Sequence, residues 1–283
     1  MNSFSHILSE IHSLNIQGAQ AIAIAGLDAL LAAKNEGIDL KEARDRLFEV
    51  RATEPLLRNA VGYALQRQDL VSGVKEGKDI LNKGHKRLCE YGAHKIRNGM
   101  VIYTHCHSST VVGILEKAWK EKRFEVHNTE TRPRFQGRKT AKELAGLGIP
   151  VTHYVDSAMH YALSKADMVL IGCDALSCEG SVANKVGSDV ICGLAHKLDI
   201  PVYSCTHSWK FDPLSVVGYD EEIEQRDPEE VWEEAPVGIK VKNPAFSFVH
   251  PDIISGVITE LGVYRPELIV EELKKKNKWM FKR

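Results

Sequence analysis

Apolar residues recur every three or four positions through the first third of the chain, then give way to short apolar runs separated by helical stretches. From about residue 3 to 95 β-branched runs are almost absent, and the spacing predicts a bundle of four or five helices. Ile7, Leu8, Ile11 and Leu14 share one face of the first. The small, apolar run Ala21 to Leu27 predicts a buried helix packed closely through its alanines and Gly26. Its start, after Asn15-Ile16-Gln17-Gly18-Ala19-Gln20, is a candidate contact for an anion or a substrate. Leu40 to Val50 form another amphipathic helix, and Thr53 and Pro55 are suited to start the next, Leu56 to Gln66. A long helix from about Val71 to Lys95 leads to the turn Arg97-Asn98-Gly99.

Beyond that turn, strand-like runs at 100–105, 123–128, 150–155, 167–172, 201–205 and near 246–249 alternate with helical patterns. The helices fall at about 109–121, 137–147, 157–165, 185–198 and 252–261. Such alternation predicts an α/β fold: a helical amino-terminal domain, 1–98, followed by a Rossmann-like domain, 99–283, with a mostly parallel sheet covered on both faces. No GxGxxG follows the first strand and no Walker loop occurs, so neither NAD nor ATP binding is supported.

Polar clusters fall at the predicted strand ends, where ligands bind in open α/β sheets. Thr104-His105-Cys106-His107-Ser108-Ser109-Thr110 joins the first strand to a helix. Ser108, Ser109 and Thr110 can cap that helix or hold a phosphate, and a thiol near helix amides should lose its proton more easily than a free cysteine. The bland alternative is a buried cysteine beside an ordinary cap. Asn128 to Arg138 is a polar, cation-rich loop suited to a site or to an interface. Asp174 follows the fourth strand between apolar neighbours, a place to hold a proton near neutral pH or simply to make a turn. Asn184 and Lys185, at the expected start of the next helix, could bind an oxyanion, and Lys210 adds a cation after the fifth strand. Arg51 either reaches a phosphate or carboxylate from the turn before Pro55 or pairs with Glu49 or Glu54.

Composition narrows the classes. The 283 residues carry a net charge of −1, so no basic field draws the chain to nucleic acid. Six cysteines without disulfide or zinc-knuckle spacing suggest a reducing cytoplasm. Neither a leader pattern at Met1-Asn2-Ser3 nor an apolar run of membrane-spanning length is seen, which predicts a soluble cytoplasmic protein.

Thr104-His105-Cys106-His107-Ser108, Asn128-Thr129-Glu130-Thr131-Arg132-Pro133 with Gln136-Gly137, Gly172-Cys173-Asp174-Ala175 and Asn184-Lys185-Val186-Gly187 resemble, in order and spacing, the motifs of the aldose-1-phosphate isomerases. That superfamily includes ribose-1,5-bisphosphate isomerase, methylthioribose-1-phosphate isomerase and the regulatory alpha, beta and delta subunits of translation initiation factor 2B. The resemblance covers nearly the whole chain. It implies a catalytic pair, Cys106 as base and Asp174 as acid, where the factor subunits typically lack the cysteine. It also implies substrate contacts at Gly18, Ala19, Arg51, Ser108, Ser109, Asn184, Lys185 and Lys210, with Gln17, Arg132 and Gln136 as further candidates. His107-Ser108-Ser109 resembles the archaeal ribose-1,5-bisphosphate enzymes, although Gln17 stands where those usually have Arg.

The activity so implied is isomerisation of ribose 1,5-bisphosphate to ribulose 1,5-bisphosphate in nucleoside salvage, without metal or organic cofactor. Its partners would be a phosphorylated pentose and further copies of the chain, as a homodimer or a hexamer of dimers, with no nucleic acid or membrane. The alternatives are an isomerase for another aldose 1-phosphate, such as methylthioribose 1-phosphate, and a non-catalytic initiation-factor-like subunit that binds sugar phosphate or nucleotide. A zinc site at His105, Cys106 and His107 is disfavoured, because along a strand the two histidines would face away from the cysteine. A cysteine hydrolase would need a histidine brought to Cys106 by the fold.

Overall fold

The structure, a computed structural model, describes residues 2–13, 15–51, 54–218 and 223–281. Leu14 and Thr53, expected to complete the first helical face and to start the fourth helix, lie outside the described residues. Among the described residues five helices form the amino-terminal part: α1 (Phe4–His12), α2 (Ala19–Asn35), α3 (Leu40–Val50), α4 (Pro55–Leu65) and α5 (Leu70–Lys95). Three have a side-chain cap of the expected kind. Ser3 accepts from the His6 amide, Asp39 from Lys41 and Glu42, and Asp69 from Val71 and Ser72. Small residues let α2 and α4 approach closely, and a methyl group on Gly26 would run into Leu57 Cδ1 at 2.2 Å. The core of this part includes Trp209 and Met280, so the last third of the chain is stitched into the first.

The main sheet is built from β1 (Val101–Thr104), β2 (Glu125–Thr129), β3 (Val151–Tyr154), β4 (Met168–Ile171), β7 (Val202–Cys205), β9 (Gly256–Thr259) and β10 (Gly262–Tyr264). A smaller antiparallel sheet pairs β5 (Ala175–Leu176), β6 (Val182–Lys185) and β8 (Phe246–Val249), in that order. In the main sheet the order is β3-β2-β1-β4-β7-β9-β10, all parallel except the last pair. Alternate residues of β4 point to opposite faces: Met168 and Leu170 join the core beneath α5 and α6 (Ser109–Trp119), Val169 and Ile171 the core beneath α9 (Ser188–Lys197) and α10 (Pro266–Lys276). α7 (Gln136–Gly146) and α8 (Met159–Leu163) complete the layers.

The order reverses at β1 and β4, the neighbouring strands from which the chain departs in opposite directions. Their carboxyl ends therefore open the crevice in which such sheets bind ligands.

Two of the elements expected beyond residue 245 differ in the structure. The strand near 246–249 belongs to the small sheet, not the parallel one. Residues 252–261 are not a helix: after a short turn, Val257 and Ile258 sit in β9 between β7 and β10, wholly buried. A short apolar run fits either element by periodicity, and here the β-branched pair fills an inner strand.

Candidate active site

At the end of β1 the strand stops at Thr104 and Cys106 turns into the left-handed region, φ +64°. The alternation that would aim His105 and His107 away from Cys106 is thus broken. A non-glycine residue in this conformation costs about 1–3 kcal/mol and persists only where its surroundings impose it. The constraint is visible: the Cys106 amide donates to Thr131 Oγ1 at 3.0 Å, and Thr140 Oγ1 donates to the Cys106 carbonyl at 2.8 Å. Thr131 is itself left-handed, φ +61°, and its amide and that of Arg132 donate to the two oxygens of Asp156 at 2.8 and 2.7 Å. Asp156, Thr131 and Cys106 form a chain of support from the end of β3 to that of β1.

The neighbouring histidines serve the same loop. His105 is buried, its Nε2–H donating to the Val186 carbonyl at 3.0 Å and its Nδ1 3.2 Å from Thr129 Oγ1. Since the Thr140 hydroxyl proton goes to Cys106, His107 Nδ1–H donates to Thr140 Oγ1, 3.1 Å away. Burial pushes the pKa of both rings down.

Ser108 caps α6, accepting from the Val111 amide at 3.4 Å. The close approach of β4 requires Gly172, whose added Cβ would stand 3.0 Å from both Cβ and Oγ of Ser108. Asp174, two residues on, donates its amide to the Ala183 carbonyl at 2.8 Å and so begins the small sheet. Asn184 and Lys185 stand at the end of β6, not at a helix start as expected. β6 pairs on both sides, and Gly187, φ +96°, turns the chain before α9 begins. Asn184 Nδ2 donates to Ser188 Oγ at 2.9 Å, and the Lys185 ammonium lies 4.9 Å from the centre of the Phe246 ring. Lys210 reaches across to donate to the Cys173 carbonyl.

These elements enclose a cavity of about 450 Å³. Cys106, Asp174, Gln17, Gly18, Ala19 and Arg51 line it, as do Ser108, Ser109, Gln136, Asn184, Lys185 and Lys210. The amino termini of two helices meet there. α6 brings Ser108 to Thr110, and α2 brings Gly18 to Ala21, with Gly18 at φ +90° and no side-chain cap on the free amides. Of the expected contacts only Arg132 is elsewhere: its guanidinium donates to the Val231 carbonyl at 3.0 Å, and Arg134 and Lys139 line the wall instead. Glu54, expected only as a possible partner of Arg51, lines the cavity as well, as do His85, His207 and Arg226, which the sequence did not mark. Arg51 is both things it could have been, a wall of the cavity and a partner of Glu54, with Nη2 3.3 Å from Glu54 Oε1.

The expected acidic thiol is not found. Burial pushes the Cys106 thiol up to about 11, although Lys185 and the His107 amide pull the other way; Asp174 and Asp156 add to the rise. Desolvation of a thiolate outweighs nearby amide dipoles.

The Initiation factor 2 subunit family model matches residues 15–266. The chain belongs to that family. It is 34% identical to the ribose 1,5-bisphosphate isomerase of Thermococcus kodakarensis, covering 98% of this chain and 95% of that protein. With the methylthioribose-1-phosphate isomerase of a Synechococcus species the identity is 31%, over 94% of this chain and 87% of the relative. Among solved structures, the translation initiation factor eIF-2B of Pyrococcus horikoshii superposes with a TM-score of 0.84 at 29% identity, covering 93% of this chain and 97% of the other. The family thus spans proteins named as enzymes and proteins named as initiation factors, over one fold. No helix among the described residues is long and apolar enough to cross a membrane.

Proposed function

We propose that the protein is an aldose-1-phosphate isomerase that converts ribose 1,5-bisphosphate to ribulose 1,5-bisphosphate in this cavity. The observation that carries the reading is a thiol and a carboxyl group, Cys106 and Asp174, on the wall of one sugar-sized cavity with helix amides and cations around them. Two helix amino termini, with Arg51, Lys185 and Lys210, suit a ligand carrying negative charge at more than one place. The ribose 1,5-bisphosphate isomerases similar to this chain over nearly its whole length support the choice of pentose.

A sugar phosphorylated at carbon 1 cannot open to a free aldehyde, so its ring oxygen must be protonated. Asp174 delivers that proton as the bond from carbon 1 to the ring oxygen breaks. Cys106, as thiolate, removes the proton from carbon 2, leaving an enol phosphate. Return of a proton to carbon 1 and loss of the carbon 2 hydroxyl proton to Asp174 give the 2-keto sugar and restore both groups. The thiolate is scarce at neutral pH in a thiol raised this far, which makes Lys185 the residue that promotes its formation.

A second reading is a non-catalytic factor subunit, favoured by the likeness to the Pyrococcus horikoshii initiation factor. The test offers ribose 1,5-bisphosphate, ribose 1-phosphate and methylthioribose 1-phosphate separately and follows ketose formation. Conversion of the bisphosphate alone is expected. Conversion of methylthioribose 1-phosphate moves the assignment within the superfamily, and no conversion of any supports the subunit.

A further inference from the structure

Glu54 stands at the cap position of α4, where an acidic side chain ordinarily accepts hydrogen bonds from the first free amides of its helix. Its side chain makes no such bond. Although only 4% exposed, it lines the same cavity as Cys106 and Asp174. One carboxyl oxygen, Oε1, accepts from Arg51 Nη2 at 3.3 Å. The other, Oε2, is buried without a hydrogen-bond partner among the described residues, and so is Nε of Arg51. Among the described residues the ion pair therefore leaves one acceptor and one donor unmet, in two residues of the cavity wall. Burial and the nearby Asp174 push the Glu54 carboxyl up, and Arg51 and Lys210 oppose them, so the group is surrounded by the residues already assigned to the site.

An unmet guanidinium N–H calls for an anionic oxygen. An unmet carboxyl oxygen calls for a group that can donate to it when it is ionised or accept from it when it is protonated. A hydroxyl does both, whereas a phosphate oxygen serves only the protonated acid. We propose that Glu54 is a substrate-recognition residue, its Oε2 taking a sugar hydroxyl next to a phosphate held by Arg51. The ligand class is a phosphorylated polyol, and Glu54 is what separates it from phosphate alone. The inference rests on reading the cavity as a sugar-phosphate site.

The test is calorimetric, on the full chain, with two probes: ribulose 1,5-bisphosphate and inorganic pyrophosphate. Glu54→Ala is expected to weaken the sugar by about tenfold or more, as for one hydrogen bond to a charged group, and to leave pyrophosphate within about threefold. Glu54→Gln, which still offers hydrogen bonds to both neighbours, is expected to recover most of the sugar affinity. Should Glu54→Ala fail to fold, Glu54→Met fills the same space without hydrogen bonding and carries the same comparison. Equal weakening of both probes overturns the proposal, because Glu54 then does no more than hold Arg51. So does no weakening of either. A wild-type protein that binds neither probe overturns the sugar-phosphate reading as well, while one that binds both and turns nothing over leaves the Glu54 comparison valid.

Discussion

Cys106 and Asp174 leave the same edge of the sheet two residues after β1 and three after β4, strands paired in parallel with Thr104 opposite Leu170. The thiol and the carboxyl are 68 positions apart in the chain, 174 less 106, and the topology brings them to one cavity wall.

The pH dependence of Cys106 reactivity tests how far burial holds the thiol protonated. With the Cys106 thiol at about 11 in the free protein, its thiolate fraction grows about tenfold per pH unit through the neutral and mildly alkaline range. Alkylation of Cys106 by iodoacetamide in the free protein reads the thiolate alone, so its rate should climb at that slope from pH 7 towards 10. A rate that levels off between pH 8 and 9 would contradict a thiol held protonated by burial.

Lys185 pulls the Cys106 pKa down, so its removal should raise it further. Lys185→Gln is expected to slow alkylation of Cys106 by iodoacetamide at pH 8 several-fold, measured by peptide mass spectrometry with the other five cysteines as internal references. An unchanged rate would remove Lys185 from the thiol's environment.

Gly172 lets the end of β4 lie against the cap of α6. Gly172→Ala places a methyl group 3.0 Å from Ser108, which must shift, and overpacking of this kind costs about 1–3 kcal/mol. Denaturant unfolding should show that loss, and affinity for ribulose 1,5-bisphosphate should fall with it as the α6 amides move.

Asn59 ties the helical part to the site. Buried on α4, its Nδ2 donates to the Trp209 and Phe211 carbonyls at 2.7 and 2.8 Å, on either side of Lys210. Asn59→Ala leaves buried acceptors unpaired and should lower stability by about 1–3 kcal/mol, measured by denaturant unfolding. Its effect on binding should exceed that of a substitution equally destabilising but remote from Lys210.

Where chemistry recurred in the order of the chain, the sequence was informative. β1, β2, β3, β4 and β7 carry apolar runs between turn signals, and the polar residues just past β1 and β4 are the ones that meet. β6 was hidden because Val182-Ala183-Asn184-Lys185 is too short to show a period and acquires its strand character from β5 and β8. The Cys106 thiol was misjudged for a related reason: proximity to a helix start is readable along the chain, whereas burial of the sulfur depends on residues brought from elsewhere. Arg132 and Arg134 look equivalent on paper, and only the turn through Thr131 and Phe135, both left-handed, decides which one reaches the cavity. Glu54 reads as part of a helix start until its carboxyl is seen to decline the capping bonds.

The most direct measurement follows ketose formation from ribose 1,5-bisphosphate by the wild-type protein, Cys106→Ser and Asp174→Asn, alongside their affinities for ribulose 1,5-bisphosphate. Turnover by the wild type is expected, with a loss of about 10²–10⁴-fold in each variant and affinities within a few-fold. Undiminished turnover in Cys106→Ser or Asp174→Asn would contradict the assignment of the pair.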